Sequence, residues 1–387
     1  MSPLAAFRFA LLLVALSPFA FYALSLVAAR RFFRNEPSSD AATSFTPPIS
    51  ILKPIHGLDR EAYENFASFC RQDYPDFEIL FCVSDSSDPA VPVIEKIIGD
   101  FPRRSIRLLA GSEPVGVSDK VNKLCRMARE ARHGIILVSD SDVRIAPDFL
   151  RKLAAPFADP KTGGVTCLYR GLTDGSLAAN LEALGNSTDF APGVLVAGML
   201  GEINFMLGAV MAVTRAQLEE IGGFESMADY FSDDYELGNR IAARGARIVL
   251  SCEAVSIVYP HQTFAEAFRH QLRWNLSIRF SRPLGHAGLL FSMGLPWTIL
   301  AAISAPNAPV AAGYLAAYLI LRAAVAWQIG AVGMEDALVR SRLWMLPVRD
   351  AFSFAVWLAS FFPQRIHWRG REFFVREKRL VAAPPRG

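Results

Sequence analysis

The sequence predicts an α/β domain held between membrane segments. Three observations carry this reading. Both ends of the chain are rich in apolar runs, and the mean hydropathy is +0.26, high for a purely soluble protein. The centre alternates short apolar runs with helical periodicity. Acidic residues gather just after those runs. A net charge of only +3 lacks the concentrated basic face of a nucleic-acid binder. The five cysteines, Cys70, Cys82, Cys125, Cys167 and Cys252, show no CxxC pair and read as reduced, mostly buried thiols.

The first element is an anchor, assigned to residues 1–34. Phe9 to Ala29 is apolar over a length that spans a bilayer. Arg30, Arg31 and Arg34 follow it and only Arg8 precedes it, which places the next domain in the cytosol. A cleaved signal peptide fits less well, because the run is long and its charge lies on the wrong side.

The central domain, residues 45–261, reads as strand and helix in turn. Ile49 to Leu52, Phe77 to Val83, Ile106 to Ala110 and Ile135 to Ser139 suit strands buried on both faces. Tyr63, Phe66, Ala67 and Cys70 recur at helical spacing. So do Val121, Leu124, Cys125 and Ala128, with Ser118 as N-cap. This order predicts a parallel nucleotide-binding sheet whose ligand lies beyond the carboxyl ends of its strands. Ala191 to Val213 is nearly apolar, but as a crossing it would separate the acidic motifs. It is read as a buried or membrane-touching part of the catalytic domain.

Asp85 and Asp88 follow one strand, and Asp140-Ser141-Asp142 follows another. Asp-x-Asp after a buried strand can ligate Mg²⁺ or Mn²⁺ shared with substrate phosphates, or simply end the strand and cap the next helix. Ser232-Asp233-Asp234-Tyr235-Glu236 opens a helix. Its acids either complement the helix dipole or supply a general base. Lys120, Asn122 and Lys123 could meet uracil or phosphate, or form a solvated face.

Residues 262–282 are read as an amphipathic interfacial helix. Thr263 and Glu266 make a capping box, and the helix carries Arg269, His270, Gln271, Arg273, Trp274 and Arg279 among aromatics. Residues 283–387 hold the C-terminal membrane part. Gly285 to Ala305 and Ala308 to Val332 suggest a hairpin turning at Pro306 and Asn307. Arg322 and Gln328 lie inside its second run, either as functional groups or as bundle-facing ones. Trp344 to Pro363 contains Arg349 and Asp350 and reads as re-entrant or interfacial. A basic tail follows, with Arg365, Arg369, Arg371, Arg376, Lys378 and Arg379.

As an ordered set, these stretches resemble the ceramide glucosyltransferase family, a membrane branch of the GT-A glycosyltransferases. The matching residues are Ser50-Ile51-Leu52-Lys53-Pro54, Gln72-Asp73-Tyr74-Pro75, Phe81 to Asp85 with Asp88-Pro89-Ala90, Asp140-Ser141-Asp142, Asp233-Asp234-Tyr235 and Arg273-Trp274. The similarity runs from the anchor through Trp368-Arg369-Gly370. His270 departs from the family pattern, which has Gln or Arg there. The chain is also similar to a bacterial, hopanoid-associated relative that uses an N-acetylglucosamine donor and a polyol-tailed triterpenoid acceptor.

The resemblance implies an inverting hexosyltransferase that moves glucose or N-acetylglucosamine from a UDP-sugar to the hydroxyl of a ceramide or hopanoid polyol. Asp234 would be the catalytic base. Asp85, Asp88, Lys120, Asp140 and Arg273 would bind the donor, with Asp140 and Asp142 on a Mg²⁺ or Mn²⁺ ion. Asp233, His270, Gln271 and Trp274 would meet acceptor or product. The expected location is a bacterial inner membrane, multi-pass, with the catalytic domain cytoplasmic. The rivals are a processive polysaccharide synthase, separable by counting crossings, and an inactive lipid- or nucleotide-binding scaffold, excluded by turnover.

Overall fold

The computed structural model describes residues 2–34, 45–362, 366–368, 371–376 and 378–382. Pro363, Arg365, Arg369 and Gly370 of the sequence reading lie outside them. The described residues fall into two units. One contains the stretches 2–34, 173–200 and 261–362, the other 45–172, 201–260 and the described part of the C-terminal tail. The expected division was linear. In the structure residues 173–200 leave the central domain for the membrane-like unit, and the tail returns to the α/β unit.

In the α/β unit, the four apolar runs become strands within a residue or two of their predicted bounds. They are β1 (Ile49–Pro54), β2 (Phe77–Val83), β3 (Ser105–Ala110) and β4 (Ile135–Ser139). β1, β2 and β4 are buried along their whole length, as strands covered on both faces must be. With β5 (Val143–Arg144), β6 (Thr162–Leu172), β7 (Val210–Thr214) and β8 (Arg247–Val258) they form one sheet, in the order β3-β2-β1-β4-β7-β6-β8-β5. The expected parallel arrangement holds from β3 to β4. Beyond that the sheet is mixed, because β7 runs antiparallel to both β4 and β6. This reversal matters for the site: it brings the start of β7 to the edge where β4 ends.

The helices at Ala62–Cys70 and Asp119–Glu130 are those predicted, and Ser118 Oγ caps the second by accepting from Val121 N–H. Leu52, Leu80, Val121, Leu124, Ile136 and Val138 belong to one buried core beneath that helix. A small antiparallel sheet of β9 (Ile366–Trp368), β10 (Arg371–Arg376) and β11 (Arg379–Ala382) ends the chain. Its turn is tied to the same unit: Phe231 N–H donates to Lys378 O, and Leu380 N–H donates to Asp229 O.

The other unit is helical. Pro3–Arg34, 32 residues, and Ala308–Gly333, 26 residues, are each long and apolar enough to cross a membrane. The expected hairpin is present, but its first leg is bent by 52° between Pro283–Ser292 and Gly294–Ser304. Tyr22 Oη accepts from Gly294 N–H, and Tyr314 Oη donates to Leu12 O, so the N-terminal helix and the hairpin are joined by polar contacts. Ala191 to Val213 is not one helix. It divides into a helix, Ala191–Leu200, in this unit and strand β7 in the other. The third C-terminal stretch forms a helix of 14 residues, Leu346–Ala359. At 1.5 Å per residue it reaches only ~21 Å, short of a ~30 Å hydrocarbon core.

Arg322 lies in the spanning helix and faces the bundle. It donates to both carboxylate oxygens of Asp350, at 2.7 and 3.0 Å, to Thr188 O at 2.7 Å and to Asp189. Arg349 donates to Asp189 at 2.9 Å. Two guanidinium and two carboxylate groups thus neutralise one another where isolated charges would be expensive. Arg322 and Arg349 are therefore explained by packing.

Candidate active site

The site follows from how β4 ends. Its apolar side chains fix the strand in the sheet, and Ser139 hands the chain to Asp140 at the carboxyl edge. Asp140 N–H donates to Ala209 O at 3.2 Å, which joins that edge to the segment entering β7. Helix Asp233–Ala243 is drawn to the same place by two close approaches. A Cβ on Gly238 would lie 2.5 Å from Met206 N, and one on Gly208 would lie 3.0 Å from Asp234 Oδ2. Only glycine lets the helix and the Asp234 carboxylate sit so near the backbone.

Lys120 stands on the first turn of helix Asp119–Glu130 and reaches this acidic group. Its Nζ is 2.7 Å from Asp140 Oδ1 and 4.0 Å from Asp233 Oδ2, with the side chain 13% exposed. Burial opposes its charge, but the Asp140 and Asp233 carboxylates outweigh burial and hold its pKa above the usual lysine range. Asp234 Oδ1 accepts from Tyr235 N–H at 2.7 Å. Burial, then the neighbouring Asp233, push the Asp234 carboxyl up to about 6, against the pull of Lys120. A carboxylate so tuned is a competent proton acceptor near neutral pH.

Asp142 is raised further, to about 7, by burial and by the Asp140 and Asp59 carboxylates. This crowding of hard oxygen donors suits a divalent cation. Among the described residues no group of three or more His, Cys, Asp or Glu side chains is arranged to hold a metal ion by itself. Two carboxylates are enough where substrate phosphates complete the shell.

Asp88 is at the carboxyl edge of β2 and is committed to loop geometry. Its Oδ2 accepts from Gly57 N–H at 3.0 Å and its Oδ1 from Ala90 N–H at 2.9 Å. Asp85 is exposed and accepts from Ser87, by both its amide, at 2.8 Å, and its hydroxyl. Lys123 and Asn122 do not form a solvated face. Lys123 is fully buried and donates to Ile55 O and Asp119, while Asn122 braces the loop at Gly116.

In the helical unit, the capping box at Thr263 and Glu266 is formed as expected and opens helix Phe264–Ser281. His270, Arg273 and Trp274 lie on it, partly exposed. Gln271 is buried, with its amide spent on Glu182 and its carbonyl oxygen on Arg349.

Two side chains beneath the site went unassigned in the sequence. Lys53 is fully buried in β1 and donates to Ser139 Oγ at 3.2 Å and Asp140 O at 2.9 Å, with its ammonium 3.7 Å over the Phe69 ring. Burial pushes its pKa down to about 7 against the pull of Asp140, Asp142 and Asp59. Asp59 accepts from Ser141 Oγ. The available signal for Lys53 was a lysine inside a mostly apolar strand.

A mixed sheet with acids at the carboxyl edge of its parallel half is the architecture of GT-A glycosyltransferases. A mannosyltransferase from Pyrobaculum calidifontis, solved with GDP-Man and Mn²⁺, has a similar fold, with a TM-score of 0.54 at 19% identity over 91% of this chain and 99% of that one. The chain belongs to glycosyl transferase family 21, whose model matches residues 10–381. It is 31% identical over 206 residues to ceramide glucosyltransferase 1 of Caenorhabditis elegans, covering 53% of this chain and 44% of that protein. A ceramide glucosyltransferase of Gibberella zeae is 30% identical over 151 residues, 36% of this chain and 29% of its own length. The matches therefore span less than half the length of these curated relatives.

Proposed function

We propose that this protein transfers a hexose from a UDP-sugar to a hydroxyl of a membrane lipid, with inversion at the anomeric carbon. The observation that carries the proposal is the meeting of Asp140, Asp233 and Asp234 around Lys120, in a family 21 chain with helices long enough to cross a bilayer. Asp234 takes the proton of the attacking hydroxyl, a role worth about 10²–10⁴-fold in rate. Asp233 and the buried surroundings keep that carboxyl basic enough for the task. Lys120 holds the Asp140 carboxylate and offers positive charge to the donor phosphates. Lys53 fixes the Asp140 backbone from below.

Asp140 and Asp142 would hold Mg²⁺ or Mn²⁺, which when bound neutralises charge on the departing diphosphate. Asp85 and Asp88 are assigned to the nucleoside side of the donor, Arg273 to its diphosphate and Trp274 to the acceptor. The catalytic unit is assigned to the cytosol, where UDP-sugars are supplied, and the host membrane to a bacterial inner membrane.

The test is direct. Purified protein in lipid nanodiscs is offered UDP-glucose or UDP-N-acetylglucosamine with ceramide or a polyol-tailed triterpenoid, and the lipids are read by mass spectrometry. A hexosylated or N-acetylhexosaminylated lipid is expected. UDP release with only soluble acceptors modified would reject the lipid reading.

A further inference from the structure

Strand β6 is buried along nearly its whole length and carries a hydroxyl that the mechanism above does not use. Thr166 has no exposed surface. Valine would serve strand propensity equally well at this position and is close in volume, so the hydroxyl needs another reason. Pairing of β6 with β7 stops at Thr166 and Met211. There the side chain takes over from the ladder. Thr166 Oγ1 accepts from Leu207 N–H at 2.9 Å, and its one proton is shared between Val210 O, at 2.9 Å, and Leu207 O, at 3.2 Å. A single hydroxyl thus pins both ends of the turn over residues 207–210. Leu207 and Val210 are buried, so each bond satisfies a backbone group removed from water.

The acids of the site rest on that turn. On one side Ala209 O accepts from Asp140 N–H at 3.2 Å, and Val210 pairs with Ser139 of β4. On the other side Gly208 faces Asp234, so that a Cβ there would lie 3.0 Å from Asp234 Oδ2. Asp234 Oδ1 is held by Tyr235 N–H, which leaves Oδ2 as the oxygen whose place the turn decides. Helix Asp233–Ala243 is seated on the segment entering the turn, because Gly238 packs directly on the backbone of Phe205 and Met206. Asp140 is fixed by the sheet, whereas Asp234 is fixed against the turn.

We propose that Thr166 is a positioning residue for the transfer reaction: it locks the turn that spaces Asp234 from Asp140, and so holds the base where it can take the acceptor's proton. Thr166 touches no reacting atom and acts through Asp234. This inference rests on the reading of Asp234 as the base of a lipid glycosyltransferase. It adds a residue that lies outside the acidic cluster and carries no charge.

The test is kcat and KM per mole of folded protein, measured in nanodiscs with UDP-glucose or UDP-N-acetylglucosamine and with ceramide or a polyol-tailed triterpenoid. Thr166→Val keeps the branched shape and removes all three bonds. It should lower kcat by roughly 10- to 100-fold, the cost of a base misplaced by about 1 Å, with KM for the UDP-sugar kept within about threefold. Thr166→Ser keeps the hydroxyl and should bring kcat back to within about threefold of the parent. In the Asp234→Asn background no base is left to misplace, so adding Thr166→Val should lower the residual rate by less than about threefold. Gly208→Ala presses on Asp234 Oδ2 without touching β6. It should lower kcat by roughly tenfold with the same unchanged KM, and it carries the test if Thr166→Val does not fold.

Parental kcat in Thr166→Val or in Gly208→Ala would overturn the inference while leaving lipid glycosylation intact. So would a Thr166→Val loss as large without the Asp234 carboxylate as with it, or a Thr166→Ser protein as impaired as Thr166→Val, because either outcome marks a general effect on folding. Parental turnover in Asp234→Asn, or no transfer to any lipid by the parent, would remove the underlying reading and this inference with it.

Discussion

Replacing Lys120 with Met tests the electrostatics of the acidic site most directly. The substitution keeps length and removes the charge that lies 2.7 Å from Asp140 and 4.0 Å from Asp233. In the parent, Asp234 titrates at about 6, with Lys120 pulling its pKa down against burial and Asp233. An opposite charge in the same carboxylate cluster is worth roughly 1–3 pKa units to Asp234, and because Lys120 ranks behind burial and Asp233 among the influences on that carboxyl, the low end applies. The variant base should therefore titrate at roughly 7.5. At pH 7 the fraction of ionised base would fall from about nine-tenths to about one-quarter, a loss of roughly fourfold. At pH 9 both proteins would be fully ionised and this loss would vanish.

The assay is kcat/KM for the lipid from pH 5 to 9, which reports free-enzyme pKa values. The sign is fixed: a base works deprotonated, so activity is lost as pH falls through its pKa, and the variant's acidic limb must move to higher pH. Any loss of phosphate contact lowers the whole profile by a constant factor and does not move the limb. Normalised profiles that superimpose would refute the assignment of Asp234 as a base tuned by Lys120.

The other predictions are more local. Asp234→Asn should cut turnover by about 10²–10⁴-fold with UDP-sugar affinity kept within about threefold by calorimetry, and near-parental turnover would remove the base role. Chelation should stop transfer and Mg²⁺ or Mn²⁺ should restore it, whereas full activity after thorough depletion would count against a metal at Asp140 and Asp142. Arg322→Leu should destabilise the protein by about 3–5 kcal/mol in denaturant unfolding, because it strands Asp350 in an apolar bundle, and adding Asp350→Leu should recover more than half. Single cysteines placed near Asp85, Asp140, Asp234 and Arg273 should resist a membrane-impermeant reagent on intact cells, and efficient labelling from outside would reverse the topology.

How much of this was legible in sequence depends on the range of the forces involved. β1, β2 and β4 could be read because burial on both faces forces short apolar runs, whereas β3, expected to be buried in the same way, is a half-exposed strand at the edge of the sheet. The helix at Asp119–Glu130 could be read because its cap and its apolar face are local signals. The antiparallel entry of β7 was not legible. It depends on pairing with β4 and β6, far apart in the chain, and Ala191 to Val213 hides the break between helix and strand in continuous apolar sequence. The bend at Met293 was hidden in the same way, inside a run that hydropathy alone treats as one span.

The candidate site divides along the same line. Asp140, Asp142, Asp233 and Asp234 were visible because each sits at the end of a predictable element. That Lys120 would join them, while Lys123 and Asn122 turned inward, was decided by helical phase against a loop that only the folded chain supplies. Gln271 was grouped with its neighbours by sequence and separated from them by burial. Glu182 gave no signal at all, since a glutamate is ordinarily exposed, whereas its helix is buried from Ala178 to Gly185.

Charge balance separates the two kinds of buried polar group. In the helical unit, Arg322 and Arg349 are matched by Asp350 and Asp189, and every one of these groups has its opposite within hydrogen-bond distance. Such a set has little reason to change its protonation or to recruit a ligand, and packing accounts for it. In the α/β unit, Asp59, Asp140, Asp142, Asp233 and Asp234 surround Lys53 and Lys120, and the excess is negative. The protein bears the cost as raised carboxyl pKa values at Asp142 and Asp234. An arrangement that is costly in isolation becomes favourable when a proton, a cation or a polarised substrate arrives to relieve it. That asymmetry favours placing the chemistry at the edge of β4 and treating the membrane charges as scaffold.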